Sequence, residues 1–345
     1  MALGTIDTNQ IASDAVTVPK VTDQVLASRN LLINGEHRIF QRGASFTGQG
    51  ANGAPYFTDR WYCYSGGSSA GRFTATQEAI TDLSGFSKAL KLDCTTADTS
   101  IGADEQLSLI QAVEAQNLQH LKFGTSDAVQ LTYSFYAKAN AAKTYIAELY
   151  APDVSAKSQS QAFNVTTSWQ RFEITFSATG ANSVSINNDT GVGLYVNINL
   201  HAGSNLTSGT LNTTWSAATQ ANRMPGISSF YSSTDNTFFM TGAQLEVGDV
   251  ATPFEHEQID TTQRKCRRYY EVVNRFIYPN KYSTVVLGDF SWEVEKRAQP
   301  TLALGLNGTN TGSHGLYVSY TAGGYIYKGS ENYDAVLYLA GNAEL

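Results

Sequence analysis

The sequence predicts an all-β protein built around an antiparallel β-sandwich. Three observations predict it. Charged residues are only 15% of the 345, against roughly 25% in ordinary globular chains, and Ser, Thr, Asn, Gln and Gly take their place. Nineteen Tyr and sixteen Phe stand beside only three Met, a composition that fits a pleated surface. Finally, apolar residues recur at every second position in successive segments that Gly/Ser/Asn loops separate, which is how a sandwich is written.

The elements follow in chain order. Residues 30–35, NLLING, are an apolar run ended by Asn-Gly, a strong turn signal. Leu90 to Cys94 alternates. So do Val129, Leu131, Tyr133 and Phe135, with Gln130, Thr132, Ser134 and Tyr136 on the other face. Residues 103–121 read as a short helix or as two strands around a turn. The preferred reading is a strand through Leu107–Ile110, then a helical turn near Gln116–Leu121. Trp169, Phe172, Ile174 and Phe176 suggest another strand. Leu194, Val196, Ile198 and Leu200 form the cleanest one, with Tyr195, Asn197, Asn199 and His201 facing away. Phe238–Met240, with Leu245 and Val247, closes the series before Thr252-Pro253-Phe254 breaks it.

A short amphipathic helix is expected around Asp260–Tyr269. Strands then resume at Tyr270–Tyr278, Ser283–Leu287, Ser291–Val294, Thr301–Leu304, Gly315–Tyr320, Tyr325–Lys328 and Ala335–Ala340. A β-unit of roughly 80 residues is marginal alone and gains from oligomerisation.

Residues 1–28 differ from the rest. Ile6, Ile11, Val16, Val21 and Leu26 recur every five residues in a polar background. That period is neither the 3.5 of a coiled coil nor the 2 of a strand. The expectation is an extended attachment arm that orders on a partner or on its own copies.

Net charge is −7, which argues against general nucleic-acid binding. The dense basic patch Arg264-Lys265-Cys266-Arg267-Arg268 sits near Glu255, Glu257 and Asp260 and reads as a charged seam between domains or subunits. Cys63, Cys94 and Cys266 are odd in number and widely spaced, which excludes a disulfide framework or CxxC metal site and suits a reducing cytoplasm. No apolar stretch approaches the ~18 residues of a membrane span, and the first residues lack the pattern of a signal peptide. Asn-x-Thr sites such as Asn205-Leu206-Thr207 therefore need not carry glycans.

Three segments together resemble a family of bacteriophage tail-fibre and other virion-fibre proteins. The first is NLLINGEHRIFQRGASF (30–46) with Thr58-Asp59-Arg60-Trp61. The second is FFMTGAQLEVGDVATPFEHE (238–257). The third is CRRYYE (266–271) with FSWEVEKRAQPTL (290–302) and AEL (343–345). The resemblance covers about residues 30 to 345. It implies an antiparallel jelly-roll β-sandwich over 29–257 like a carbohydrate-binding module, and a C-terminal β-domain over 258–345 that trimerises at the tip. Residues 1–28 would then attach to other tail or capsid proteins of the virion. The implied role is host adhesion by a homotrimer that recognises surface polysaccharide. Rivals are a capsid-decorating or head-fibre protein without a receptor role, and a glycan-cleaving tailspike.

The residues bear on those roles directly. In the first two segments, Arg42 or Arg60 can pair with Asp59 or Glu246 at a sandwich edge, a guanidinium being a planar bidentate partner. Leu245 and Val247 are expected to point inward with Glu246 outward, and Phe254 to plug the sandwich end. No catalytic residue is expected: acidic residues stand mostly singly in loops, and the adjacent Asp104-Glu105 would point opposite ways on a strand, without the paired carboxylates of a glycosidase or a GxSxG elbow. No metal motif occurs among His37, His120, His201, His256 and His314. No cofactor is required, although a structural calcium on a sandwich edge is compatible with Asp59, Asp93, Asp98 and Glu246 as loose candidates. For glycan binding, Tyr136, Tyr195, Asn197, Asn199 and His201 are the candidates. They would form one polar, aromatic face if their strands are neighbours. Trp61, Tyr62, Tyr64, Trp215, Phe230 and Tyr231 would add aromatic loop surface.

Overall fold

The computed structural model describes residues 29–277, 285–307, 314–319, 323–328 and 335–345. The strands of the first part are β1 (Ser45–Gln49), β2 (Tyr62–Gly66), β3 (Arg72–Ala79), β4 (Lys88–Thr96), β5 (Gln106–Glu114), β6 (Leu131–Ala139), β7 (Lys143–Ala151), β8 (Lys157–Val165), β9 (Gln170–Phe176), β10 (Val192–Ala202), β11 (Ser216–Ala217) and β12 (Thr237–Val247). They form two six-stranded antiparallel sheets, ordered β1-β3-β4-β12-β6-β9 and β11-β8-β7-β10-β5-β2. The fold is all-β, a jelly-roll sandwich. A single helical turn, α1 (Ser204–Thr207), interrupts the long excursion between β10 and β12.

The alternation read from the sequence builds the core. Phe73, Leu92, Tyr133, Phe135, Ile174 and Phe238 line one sheet; Leu109, Tyr145, Leu149, Val196 and Ile198 line the other. Each such side chain contributes roughly 1.5–3 kcal/mol when fully buried. The segment 106–121 resolves as the preferred reading had it, β5 followed by a 3-10 helix at Ala115–Leu121.

One irregularity ties the first motif to the second. In β12 the pairing to β6 slips between Thr241 and Gln244, where Gly242 takes φ 62°, as glycine readily does in a bulge. The backbone freed there meets residues 30–35: Ala243 N–H donates to the Gly35 carbonyl, Leu31 N–H to the Leu245 carbonyl, and Leu245 N–H to Asn30 Oδ1. NLLING is therefore a clasp against β12, not a strand of its own.

Three placements differ from expectation. Val247, the last residue of β12, is 45% exposed. Glu246 is buried, because the chain turns back over the outer face and Thr252 donates to its carboxylate through both N–H and Oγ1. Phe254 packs on Phe86 outside the first sheet and does not plug the sandwich end.

Helix α2 (Ile259–Arg267) occupies the expected place. Beyond it lie β13 (Tyr270–Ile277), β14 (Val285–Phe290), β15 (Thr301–Asn307), β16 (His314–Ser319), β17 (Gly323–Lys328) and β18 (Ala335–Asn342). They pair as two three-stranded sheets, β13-β18-β15 and β14-β17-β16. Ser291–Val294 is not a strand: Trp292 is buried there against Gly341. The basic patch is bound within the chain. Lys265 pairs with Glu257, Arg267 with Glu293, and Arg268 grips Glu114 at the end of β5 in a two-point contact of 2.8 and 2.9 Å. Ile6, Ile11, Val16, Val21 and Leu26 lie outside the described residues.

Candidate functional site

The strands carrying Tyr136 and Tyr195 are not neighbours. Tyr136 is on β6 in the first sheet and Tyr195 on β10 in the second, so the expected single face does not form. Tyr136 instead packs on Phe86 with Phe254 close by, under the returning segment. The expected aromatic loop surface is mostly core: Trp61, Tyr62, Trp215, Phe230 and Tyr231 are buried, and only Tyr64 of the six is exposed, at 41%.

The outer face of the second sheet is where polar and aromatic groups do converge. Register places Tyr195 opposite Tyr150 of β7, and Asn197 opposite Glu148 of β7 and Ile110 of β5. Tyr62 of β2 continues that second row beyond Ile110, and Tyr64 lies opposite Ser108. The excursion through residues 203–236 roofs one half of this face. Its Met224 and Leu206 pack on Ile146, and Ser229 Oγ stands 2.8 Å from His201 Nδ1, whose Nε2 is 3.0 Å from Glu105. Asn199 and His201 are buried beneath it and Asn197 is covered almost as fully. In this structure they hold the roof; they are not open to solvent.

Glu148, absent from the sequence candidates, is the hub under the roof. Its carboxylate accepts Nε and Nη2 of Arg223 at 2.7 and 2.8 Å, and the side-chain amides of Asn197 at 2.9 Å and Asn199 at 3.3 Å. Arg223 also donates to Gln220 Oε1 and lies 4.8 Å above the Tyr150 ring. Burial disfavours the Arg223 charge, but Glu148 more than offsets this and holds its pKa above the ordinary value. The two side chains thus answer each other inside the fold. One acceptor of the network, Asn197 Oδ1, has no partner among the described residues.

The unroofed half is lined by tyrosines. Tyr64 is exposed, and Tyr150 and Tyr195 are half-buried with ring centroids 6.1 Å apart. Tyr56 and Tyr62 meet at a tilt, with ring centroids 4.8 Å apart. Burial raises the pKa of Tyr56, Tyr62 and Tyr195, so their phenols stay neutral hydrogen-bonding groups. Such a surface offers flat apolar rings with hydroxyls at their edges.

The rim of this strip comes from the far end of the chain. Tyr56 donates its hydroxyl to the Leu345 carbonyl at 2.8 Å. Glu344 sits between Arg42, at 3.1 Å, and Arg60. The Arg60 guanidinium stacks 3.4 Å from the Tyr269 ring, and that of Arg42 3.6 Å from Tyr270. Of the expected motif pairings, Arg42–Asp59 forms at 3.9 Å, whereas Glu246 is 3.7 Å from Arg29.

The carboxylates considered for calcium are dispersed and individually engaged. Asp59 accepts two bonds from Gln41, Asp98 accepts Ser69, Ala70 and Ser100, Asp93 faces Lys91, and Glu246 holds Thr252. Among the described residues no group of three or more His, Cys, Asp or Glu is placed to hold a metal ion.

The sequence could have pointed to Arg223. Residues 203–236 contain only two charges, Arg223 and Asp235, and a lone cation in a long apolar-polar excursion needs a partner if it is buried. Tyr150 and Glu148 carried no such signal.

No family model matches this chain, and no curated protein does. Among solved structures, a family 4 carbohydrate-binding module is similar at 13% identity and TM-score 0.32, over 62% of this chain and 98% of its own. A family 11 module from Clostridium thermocellum, in complex with a β-1,3-1,4-mixed-linked tetrasaccharide, gives 11% and 0.30 over 62% and 98%. The enzymatically active domain of tailspike protein 4 from bacteriophage CBA120 gives 12% and 0.33 over 64% of this chain and 22% of its own. At TM-scores near 0.3 these likenesses bear on neither ligand nor role.

Proposed function

We propose that the unroofed tyrosine face binds glycan, and that the chain is the host-recognition subunit of a virion fibre. The observation that carries the reading is the ring pair Tyr150 and Tyr195 beside the Arg223–Glu148 ion pair, with exposed Tyr64 on β2 of the same sheet. Tyrosine rings stack on the C–H faces of sugars, their hydroxyls serve sugar hydroxyls, and the roof fixes the floor rigidly. The virion assignment is supported by the resemblance of residues 30–46, 238–257 and 266–271 to fibre proteins. Three copies would let weak single-site contacts add through effective concentration. The mode is adhesion and not cleavage, since the floor carboxylate, Glu148, is saturated by Arg223 and two asparagines.

Affinity electrophoresis through gels containing bacterial lipopolysaccharide, capsular polysaccharide, β-glucan or β-galactan tests the reading. The wild-type chain should be retarded in at least one gel, and Tyr64→Ala and Tyr195→Ala should run freely there. Retardation that survives both substitutions removes the tyrosine face as the site. Light scattering should give three times the 37.4 kDa chain mass; a stable monomer removes trimeric avidity.

A further inference from the structure

We infer that Glu344 is a positioning residue for the tyrosine face, so that docking of residues 343–345 is coupled to ligand occupancy. The coupling rests on reading that face as a ligand site; the positioning role does not.

The argument starts at Arg60. It occupies a turn closed by Trp61 N–H donating to the Thr58 carbonyl, with φ 73°, a conformation a bulky residue adopts only when its surroundings impose it. Its side chain is 1% exposed. One Nη donates to the Ala112 carbonyl of β5 at 2.6 Å, the other to Glu344. Among the described residues Glu344 is the carboxylate in ion-pair contact with it. A buried guanidinium that loses its counter-charge must move toward water.

That turn is the tip of a hairpin that carries the tyrosines. Phe57 N–H donates to Trp61, Cys63 N–H to Pro55, and Gly53 pairs with Ser65. Tyr56, Tyr62 and Tyr64 all ride on it, and Tyr62 and Tyr64 pair with β5. The same three-residue segment holds the hairpin a second time through the Tyr56–Leu345 hydrogen bond. It is itself held from behind, because Arg297 donates to the carbonyls of Ala343 and Glu344, and Ala343 N–H donates to Tyr269. Glu344 thus joins the C-terminal β-unit to the position of three tyrosines. By linkage, whatever binds the positioned face must in turn tighten the segment.

Hydrogen exchange on the full chain tests this, first without ligand. Glu344→Gln keeps the shape but removes the charge. It should speed exchange across residues 53–65 by about tenfold while β6 and β7 keep wild-type protection. Glu344→Asp, which restores the charge, should recover part of that protection. A hairpin as protected in Glu344→Gln as in the wild type overturns the positioning role. Should Glu344→Gln not fold, Tyr56→Phe removes only the Leu345 contact and should speed exchange at the Ala343 amide; unchanged exchange there also counts against it.

The gels above supply the ligand arm. In any polysaccharide that retards the wild type, Glu344→Gln should bind at least about fivefold more weakly, and that polysaccharide should slow exchange at Ala343 in the wild type. Equal binding by the variant overturns the coupling and leaves the glycan reading standing. Retardation in no gel overturns the glycan reading and the coupling with it, while the ligand-free exchange still decides the role of Glu344.

Discussion

Acid should destabilise this protein through a histidine that the folded chain keeps neutral. The His37 imidazole is 0% exposed. Its Nδ1 lies 2.9 Å from Thr58 Oγ1 and its ring centroid 5.1 Å from that of Trp61. Nε2 has no partner among the described residues. Burial lowers its pKa from 6.5 to about 3. Between those values the unfolded chain binds a proton that the folded chain refuses. The stabilisation is therefore complete above pH 6.5 and is lost as pH falls toward 3, at about 1.4 kcal/mol per pH unit. At pH 5 the loss from this one group is about 2 kcal/mol, a sizeable share of the roughly 5–15 kcal/mol that holds a typical domain. Urea denaturation at pH 7, 6 and 5 measures it, with His37→Asn as the control. Asparagine tolerates the φ of 54° at this position and its amide can keep the Thr58 contact, but it does not titrate. The drop in stability from pH 7 to 5 should be about 2 kcal/mol smaller in the variant. Parallel pH profiles would refute the argument. His201, whose pKa burial also lowers against the opposing pull of Glu105, adds loss of the same sign and leaves a residual slope in both proteins.

Other outcomes are equally specific. Arg223→Met strands the Glu148 carboxylate under the roof and should cost about 3–5 kcal/mol in urea denaturation, most of it recovered by adding Glu148→Gln. Gly35→Ala would place a methyl 2.1 Å from the Ala243 carbonyl oxygen, so the clasp must shift, and thermal unfolding should fall by several degrees, about 1–3 kcal/mol. Cys63, Cys94 and Cys266 are buried thiols; burial raises the pKa of each, that of Cys94 to about 11. A thiol reagent at pH 8 should modify none of them in the native protein and all three after denaturation.

The strands that could be read from the sequence are those with one apolar and one polar face. β10 and β6 were clear because core residues alternate strictly with polar ones. β7 was not, because Ile146 on its outer side is apolar as well: it packs beneath the roof with Met224 and Leu206, and a strand apolar on both faces shows no period of two. The polar faces of β6 and β10 were also legible, but alternation says nothing of which sheet a strand joins. That is settled by pairings between distant segments, as when β12 inserts between β4 and β6. Hence Tyr195 lies on the candidate face and Tyr136 does not. The Arg223–Glu148 pair spans 75 positions, and no local pattern encodes a partner at that distance.

The clasp at residues 29–35 has a mechanical consequence. The chain enters the sandwich and leaves it at nearly one point: Asn30 N–H donates to Glu255 at 3.0 Å, and Arg29 reaches the Pro253 carbonyl. Tension applied between residues 29 and 257 therefore meets this short clasp before it spreads into the sheets. While the clasp holds, the two sheets lie in parallel with that line of force and not in series.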